Sequence, residues 1–271
     1  MFLTDITPRV TVYESLRQVN GRWARVNTET DTVVEFYHGA KAIIVEGGNV
    51  FKNKKGEALT QRINQADVEP TIRFLEKITG IPHFEHTLGT TGKTPTSGDL
   101  DIGMPPDVTK EQLVAKLSAW CSQHGEDAQE FIKKSGISVH FKAPIGGSSE
   151  RGYVQTDFMF VPNLEFAKFA MAVDPNSKYR GSHKQILLSS IAKVLGYTWN
   201  PTTGLIDRAT KKLVDEGDNP DHVAVLLFGG NYDRSSLTSV EAVLVALENN
   251  PRREELLADA RATLGREGVE I

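Results

Sequence analysis

Two aspartates one residue apart, Asp99 and Asp101, close a glycine-spaced stretch running from Leu88 to Gly103, L-G-T-T-G-K-T-P-T-S-G-D-L-D-I-G. Leu100 and Ile102 alternate with the acids, so the segment reads as a strand. Residues i and i+2 of a strand share a face, and both carboxylates therefore aim at one spot. Carboxylates held that close repel each other unless cations neutralise them, and hard oxygen ligands suit Mg²⁺ or Mn²⁺. Just upstream, Gly89-Thr90-Thr91-Gly92-Lys93 is a glycine loop whose backbone N–H groups are natural partners for phosphate. Paired acids beside a phosphate-binding turn suggest a site for a nucleoside triphosphate.

A third acid stands further along, Asp157 in V-Q-T-D-F-M-F-V. A lone acid inside an apolar strand is unfavourable unless it is paired or holds a metal. If its strand lies beside that of Asp99 and Asp101, all three carboxylates converge. The plainer reading is a strand acid that faces water or pairs with a lysine such as Lys142, and the glycine loop upstream tips the balance toward convergence.

Around these segments the pattern is that of an α+β chain. Short strands are expected at Thr11–Tyr13, Thr32–Tyr37 and Ala40–Val45, with Tyr37 and His38 read as strand residues. A helix is expected from Asp67, as its cap, to Thr79, with Glu69 and Pro70 in its first turn and Gly80 ending it. His83 to Leu88 reads as a strand. His83 and His86 read as strand residues rather than zinc ligands, because no third His or Cys completes a set. Thr109 and Gln112 match a capping box opening a helix to Cys121. A short helix over Asp127–Lys134 and strands over Gly136–Lys142 and Gly152–Val161 follow. Val223–Phe228 reads as a strand ending in a turn, and Arg253 to about Leu264 as a helix with Leu256, Leu257 and Leu264 inward.

L-G-T-T-G-K-(x)₃-S-G-D-L-D, followed by V-Q-T-D-F in a later strand, resembles the DNA polymerase β-like nucleotidyltransferase superfamily. The resemblance implies an α/β palm, a small mixed sheet flanked by helices, followed by a smaller, mostly helical thumb-like domain. It divides the chain into an extension (residues 1–65), the palm (66–163) and the thumb-like region (164–271). It also implies two-metal transfer of a nucleoside monophosphate from an NTP or dNTP to a hydroxyl, with two Mg²⁺ (or Mn²⁺) ions. By position, Asp99 and Asp101 would ligate both ions, and Asp157 would ligate the catalytic one and help activate the attacking hydroxyl. Gly89, Thr90, Gly92, Lys93, Ser97 and Gly98 would hold the triphosphate. Thr90 stands where serine is usual and keeps the hydroxyl.

A second match, Tyr179-Arg-Gly-Ser-His-Lys184 followed by an N…G-L turn at Asn200 and Gly204-Leu205, resembles the palm–thumb junction of the family X DNA polymerases. There an aromatic-x-G-S segment opens a helix beside the incoming nucleotide. By analogy Tyr179, Gly181 and Ser182 would touch the nucleotide, and Lys184 would reach a phosphate or stand as an ordinary solvated charge. The helix-hairpin-helix repeats and the amino-terminal lyase domain of that family have no counterpart in the sequence.

Composition bears on the acceptor and the compartment. The net charge of the 271 residues is −4, and no segment is strongly basic, so no broad electrostatic footprint for long nucleic acid exists. A nucleic-acid 3′ end is the expected acceptor, in a template-directed polymerase or a terminal transferase; a protein or small molecule is the alternative. A third reading is a non-catalytic protein retaining the fold, which predicts degraded acids, whereas all three are present. The single Cys121 excludes an intrachain disulfide. No apolar run approaches the ~20 residues of a membrane helix and the N-terminus lacks signal-peptide character, so the expected location is the cytoplasm.

Overall fold

The computed structural model describes strands at residues 14–19, 22–27 and 32–36, and residues 49–271 throughout. The chain divides into two compact units, one of Met1–Gly48 with Lys52–Glu57, the other of Asn49–Phe51 with Ala58–Ile271. In the first, β1 (Glu14–Val19), β2 (Arg22–Asn27) and β3 (Thr32–Phe36) form an antiparallel sheet in sequence order, with a register shift between Arg25 and Val26. Thr32–Phe36 matches the strand expected there. The expected strands at Thr11–Tyr13 and Ala40–Val45, and Tyr37 and His38, lie outside the described residues.

The second unit is α+β, a small mixed sheet flanked by helices. It begins with a two-residue strand, β4 (Ile63–Asn64), and α1 (Gln65–Thr79). The helix starts two residues before Asp67, with Asn64 at its cap position, and Pro70 sits inside it rather than in its first turn. Pro70 has no N–H for the carbonyl of Ala66, one turn earlier, and both residues are exposed. Gly80 ends the helix as expected. The strand expected over His83–Leu88 is instead a 3₁₀ turn, Phe84–His86. The N–H groups of His83 and Phe84 donate to Glu76 Oε1 at 2.9 and 3.0 Å. They are thereby withdrawn from any ladder, and Thr87 makes only an isolated bridge to Ile102.

The glycine-spaced segment supplies β5 (Thr96–Ser97), which pairs with β4, and β6 (Asp99–Gly103). Next comes α2 (Lys110–Gln123), opened by the expected capping box of Thr109 and Gln112. The helix expected over Asp127–Lys134 is only one turn long, α3 (Ala128–Phe131), and the chain continues as β7 (Ile132–Ser135). Pairing with β8 (Ser138–Pro144) overrides local helix propensity here, and Lys133 and Lys134 stand exposed on this edge strand. After two 3₁₀ turns comes β9 (Tyr153–Met159).

These strands make a four-stranded sheet in the order β6-β9-β8-β7, parallel between β6 and β9 and antiparallel elsewhere. Its two faces differ in chemistry. Leu100, Ile102, Val139, Phe141, Ala143, Val154 and Phe158 are buried in one core with Val68, Ile72 and Leu75 of α1 and Leu113, Leu117 and Trp120 of α2. Burying such side chains stabilises by roughly 1.5–3 kcal/mol each. Alternation then sends Asp99, Asp101, Gln155, Asp157 and His140 to the opposite face.

A second core follows. It joins α4 (Leu164–Met171), α5 (Gly181–Val194), the hairpin β10 (Tyr197–Asn200) and β11 (Gly204–Asp207), α6 (Pro220–Phe228), α7 (Val240–Ala246) and α8 (Arg253–Gly265). Leu187, Leu188 and Ile191 of α5 pack there with Trp199, Leu205, Val223, Val243 and Leu257. The expected inward residues Leu256, Leu257 and Leu264 are buried. The strand expected at Val223–Phe228 is part of α6: Asn219 accepts from the Asp221 N–H, and Pro220 occupies the first turn. A short apolar run without period cannot by itself distinguish a buried helix from a buried strand.

Gly204, in the Asn200…Gly204-Leu205 turn, has φ +114°, and a Cβ there would lie 2.4 Å from the backbone oxygen of Gly217. Gly204→Ala is therefore expected to cost about 2–4 kcal/mol in urea unfolding. Gly265→Ala, where a Cβ meets nothing within 4 Å, is expected to be neutral or slightly stabilising.

Candidate functional site

The pairing of β6 with β9 sets Asp101 opposite Asp157 and Asp99 opposite Gln155. Carboxylate oxygens of Asp99, Asp101 and Asp157 all lie within 4.8 Å of one another. Among the described residues no other group of three or more His, Cys, Asp or Glu side chains comes this close. The cluster is electrostatically strained. Burial, with the charges of Asp99 and Asp157 adding to it, pushes the Asp101 carboxyl up to about 8. Burial and the Asp157 charge raise Asp99 as well, opposed in part by Arg62. Three carboxylates at this separation are an all-oxygen donor set with excess negative charge, which fits a hard divalent cation.

The glycine loop is tied to this strand through its backbone. Leu88 N–H donates to Asp101 O at 2.9 Å, and Asp101 N–H donates to Thr91 Oγ1 at 3.0 Å. Leu88 itself is buried with Val161 and Ala167, which anchors the loop to α4. Gly89 has φ +59°, and a Cβ there would stand 3.7 Å from Asp101 Oδ2. The turn therefore passes directly over the carboxylate.

The other expected ligands divide into two groups. Thr90 is exposed, and the Gly92 carbonyl accepts from Gln65 Nε2 at 3.0 Å. Lys93 Nζ donates to Gly89 O at 3.1 Å, closing the loop on itself. Ser97 is buried, its Oγ has no hydrogen-bond partner, and Gly98 lies under the Arg62 guanidinium. Tyr179, Gly181 and Lys184 line a cleft between residues 172–174, the start of α5 and residues 238–240; Ser182 does not line it. Lys184 is not a solvated charge: it is 3% exposed, its Nζ donates to Ala172 O at 2.7 Å, and burial pulls its pKa down to about 8. Tyr179 Oη donates to Glu270 O at 2.8 Å.

Four residues at the triad were not singled out from the sequence: Arg62, Thr91, His140 and Gln155. His140 lies opposite Asp157 in the β8–β9 register, and its Nδ1–H donates to Asp157 Oδ1 at 2.8 Å. Gln155 Nε2 donates to Asp157 Oδ2 at 3.2 Å. The lysine expected as a partner for Asp157, Lys142, lies opposite Gln155 instead, its Nζ 3.8 Å from the centroid of the Phe131 ring. Only the strand register distinguishes these two partners; the one available signal was that His140 and Lys142 share a strand face. His83, expected in a strand, is fully buried beside Phe158, with Nε2 2.9 Å from Thr79 Oγ1, and burial lowers its pKa to about 4.

No model of a known protein family matches the chain, and no curated protein matches it.

Proposed function

We propose that this protein is a metal-dependent nucleotidyltransferase of the polymerase β-like kind, moving a nucleoside monophosphate from an NTP or dNTP to the 3′ hydroxyl of a nucleic acid. The observation that carries this reading is the convergence of Asp99, Asp101 and Asp157 from adjacent parallel strands beneath a glycine turn. Asp99 and Asp101 would hold two Mg²⁺ or Mn²⁺ ions, with Asp157 on the ion nearest the acceptor. Bound there, the ions supply neutralisation of charge on the phosphoryl group and on the entering and leaving oxygens of an in-line displacement.

The chain's own part is positioning. The acceptor oxygen forms a bond to the α-phosphorus as the bond to the departing pyrophosphate breaks. Asp157 helps activate the acceptor hydroxyl. The Gly89–Lys93 turn, Ser97 and Gly98 would hold the triphosphate. The unpartnered Ser97 Oγ is a buried polar atom suited to such a contact. Tyr179, Gly181 and Lys184 would bind the nucleotide from the cleft at the start of α5, whose buried ammonium is a phosphate partner of the right charge. Ser182, beside them in the chain, enters this reading through the resemblance alone.

The net charge of −4 favours a second reading, in which a protein or small molecule is nucleotidylated by the same chemistry. Among the described residues no helix is long and apolar enough to cross a membrane.

The test is incubation with each labelled NTP and dNTP, Mg²⁺ or Mn²⁺, and a panel of tRNA, primed DNA and proteins. Label on a nucleic-acid end, lost with chelator, is the expected result. Label on protein or a metabolite would select the second reading. Absence of transfer to every acceptor would count against both.

A further inference from the structure

Asp157 differs from its two neighbours in how it is held. Both of its oxygens accept side-chain hydrogen bonds, Oδ1 from His140 Nδ1 at 2.8 Å and Oδ2 from Gln155 Nε2 at 3.2 Å. The Gln155 amide is itself oriented, because its Oε1 accepts from the Val50 N–H at 2.9 Å and this turns Nε2 toward Asp157. Gln155, His140 and Asp157 are 3%, 8% and 9% exposed, so water does not compete strongly for these bonds. Among the described residues no side chain donates a hydrogen bond to the carboxylate of Asp99 or Asp101.

We propose that His140 and Gln155 are positioning residues that clamp the Asp157 carboxylate in one orientation for cation binding, while Asp99 and Asp101 remain free to adjust. This rests on the metal-site reading above. Each carboxylate oxygen has two lone pairs; the clamp takes one on each and leaves one on each for a cation. His140 carries its proton on Nδ1 whenever it makes this bond, whether the ring is neutral or charged, so the role is one of geometry. Such supporting hydrogen bonds behind a ligand commonly contribute about 10–100-fold to metal affinity.

The test is Mn²⁺ binding to the full chain, followed by calorimetry and by the loss of the free-ion paramagnetic resonance signal. In His140→Asn the side-chain amide lies where Nδ1 lay, whereas in His140→Gln it lies nearer the position of the far nitrogen. His140→Gln and Gln155→Leu are expected to weaken Mn²⁺ binding by about tenfold or more, and His140→Asn to stay within about threefold of the wild type. Melting temperatures in chelator check that each variant is folded. Wild-type affinity in His140→Gln, or equal weakening in the Asn and Gln variants, would overturn the clamp. If Asp99→Asn and Asp101→Asn also leave Mn²⁺ binding unchanged, the metal site itself is wrong and the clamp falls with it. If those two abolish binding and His140→Gln keeps wild-type affinity, the clamp alone fails.

Discussion

Asp99→Asn and Asp101→Asn are each expected to reduce nucleotidyl transfer by at least about a thousandfold, the equivalent of roughly 4 kcal/mol of transition-state stabilisation. Asparagine preserves the shape of the side chain and removes its negative charge. The fold should survive, because the residues that build the core beneath β6 are Leu100 and Ile102, each 0% exposed, on the other face of the strand. An unchanged circular dichroism spectrum together with lost turnover is the expected outcome. Either variant retaining more than about a tenth of the wild-type rate would be incompatible with the assigned role.

The same Asp101→Asn variant is expected to be more stable than the wild type when no metal is present and the pH is high. The Asp101 carboxyl moves from its ordinary 3.8 to about 8 on folding. Between those values the folded chain retains a proton that the unfolded chain releases, so stability falls as pH rises through this window. Asp99, also raised, acts in the same direction. Asparagine removes the penalty, and the metal-free variant should melt about 5 °C or more above the wild type at pH 8, with the gap closing toward pH 4. Excess Mn²⁺ should then raise the wild-type melting temperature and leave the variant's nearly unchanged. A variant that melts below the wild type at pH 8 without metal would contradict this electrostatic picture. Stability gained where activity is lost is the usual signature of a functional cluster.

Much of this arrangement could be read before any coordinates. The Thr109–Gln112 capping box, the Gly80 helix end and the C-terminal Leu256, Leu257 and Leu264 stripe are local signals, and each appears where expected. The failures share a cause. Phe84–His86 turns because Glu76, seven residues before His83, takes its backbone donors. Ile132–Ser135 extends because β8 is there to pair with it. Val223–Phe228 coils because Asn219 caps it and a second core surrounds it. In each, groups outside the segment decided the outcome: against local propensity in the first two, and between two states that the apolar run alone left open in the third.

The site divides along the same line. Sequence alone determined that Asp99 and Asp101 share a face and that a glycine turn precedes them, because side-chain alternation and backbone freedom are properties of a few consecutive residues. It also marked Asp157 as an acid that needed a partner. Tertiary structure alone decided what that partner is. Strand order placed β9 next to β6, and the β8–β9 register set His140, not Lys142, across from Asp157. Putting Lys142 across from Asp157 would take a slip of two residues, which keeps every side chain on its face but moves each cross-strand pair along it. Which pairs form is chosen by how the whole apolar face packs, a quantity no short stretch of sequence contains.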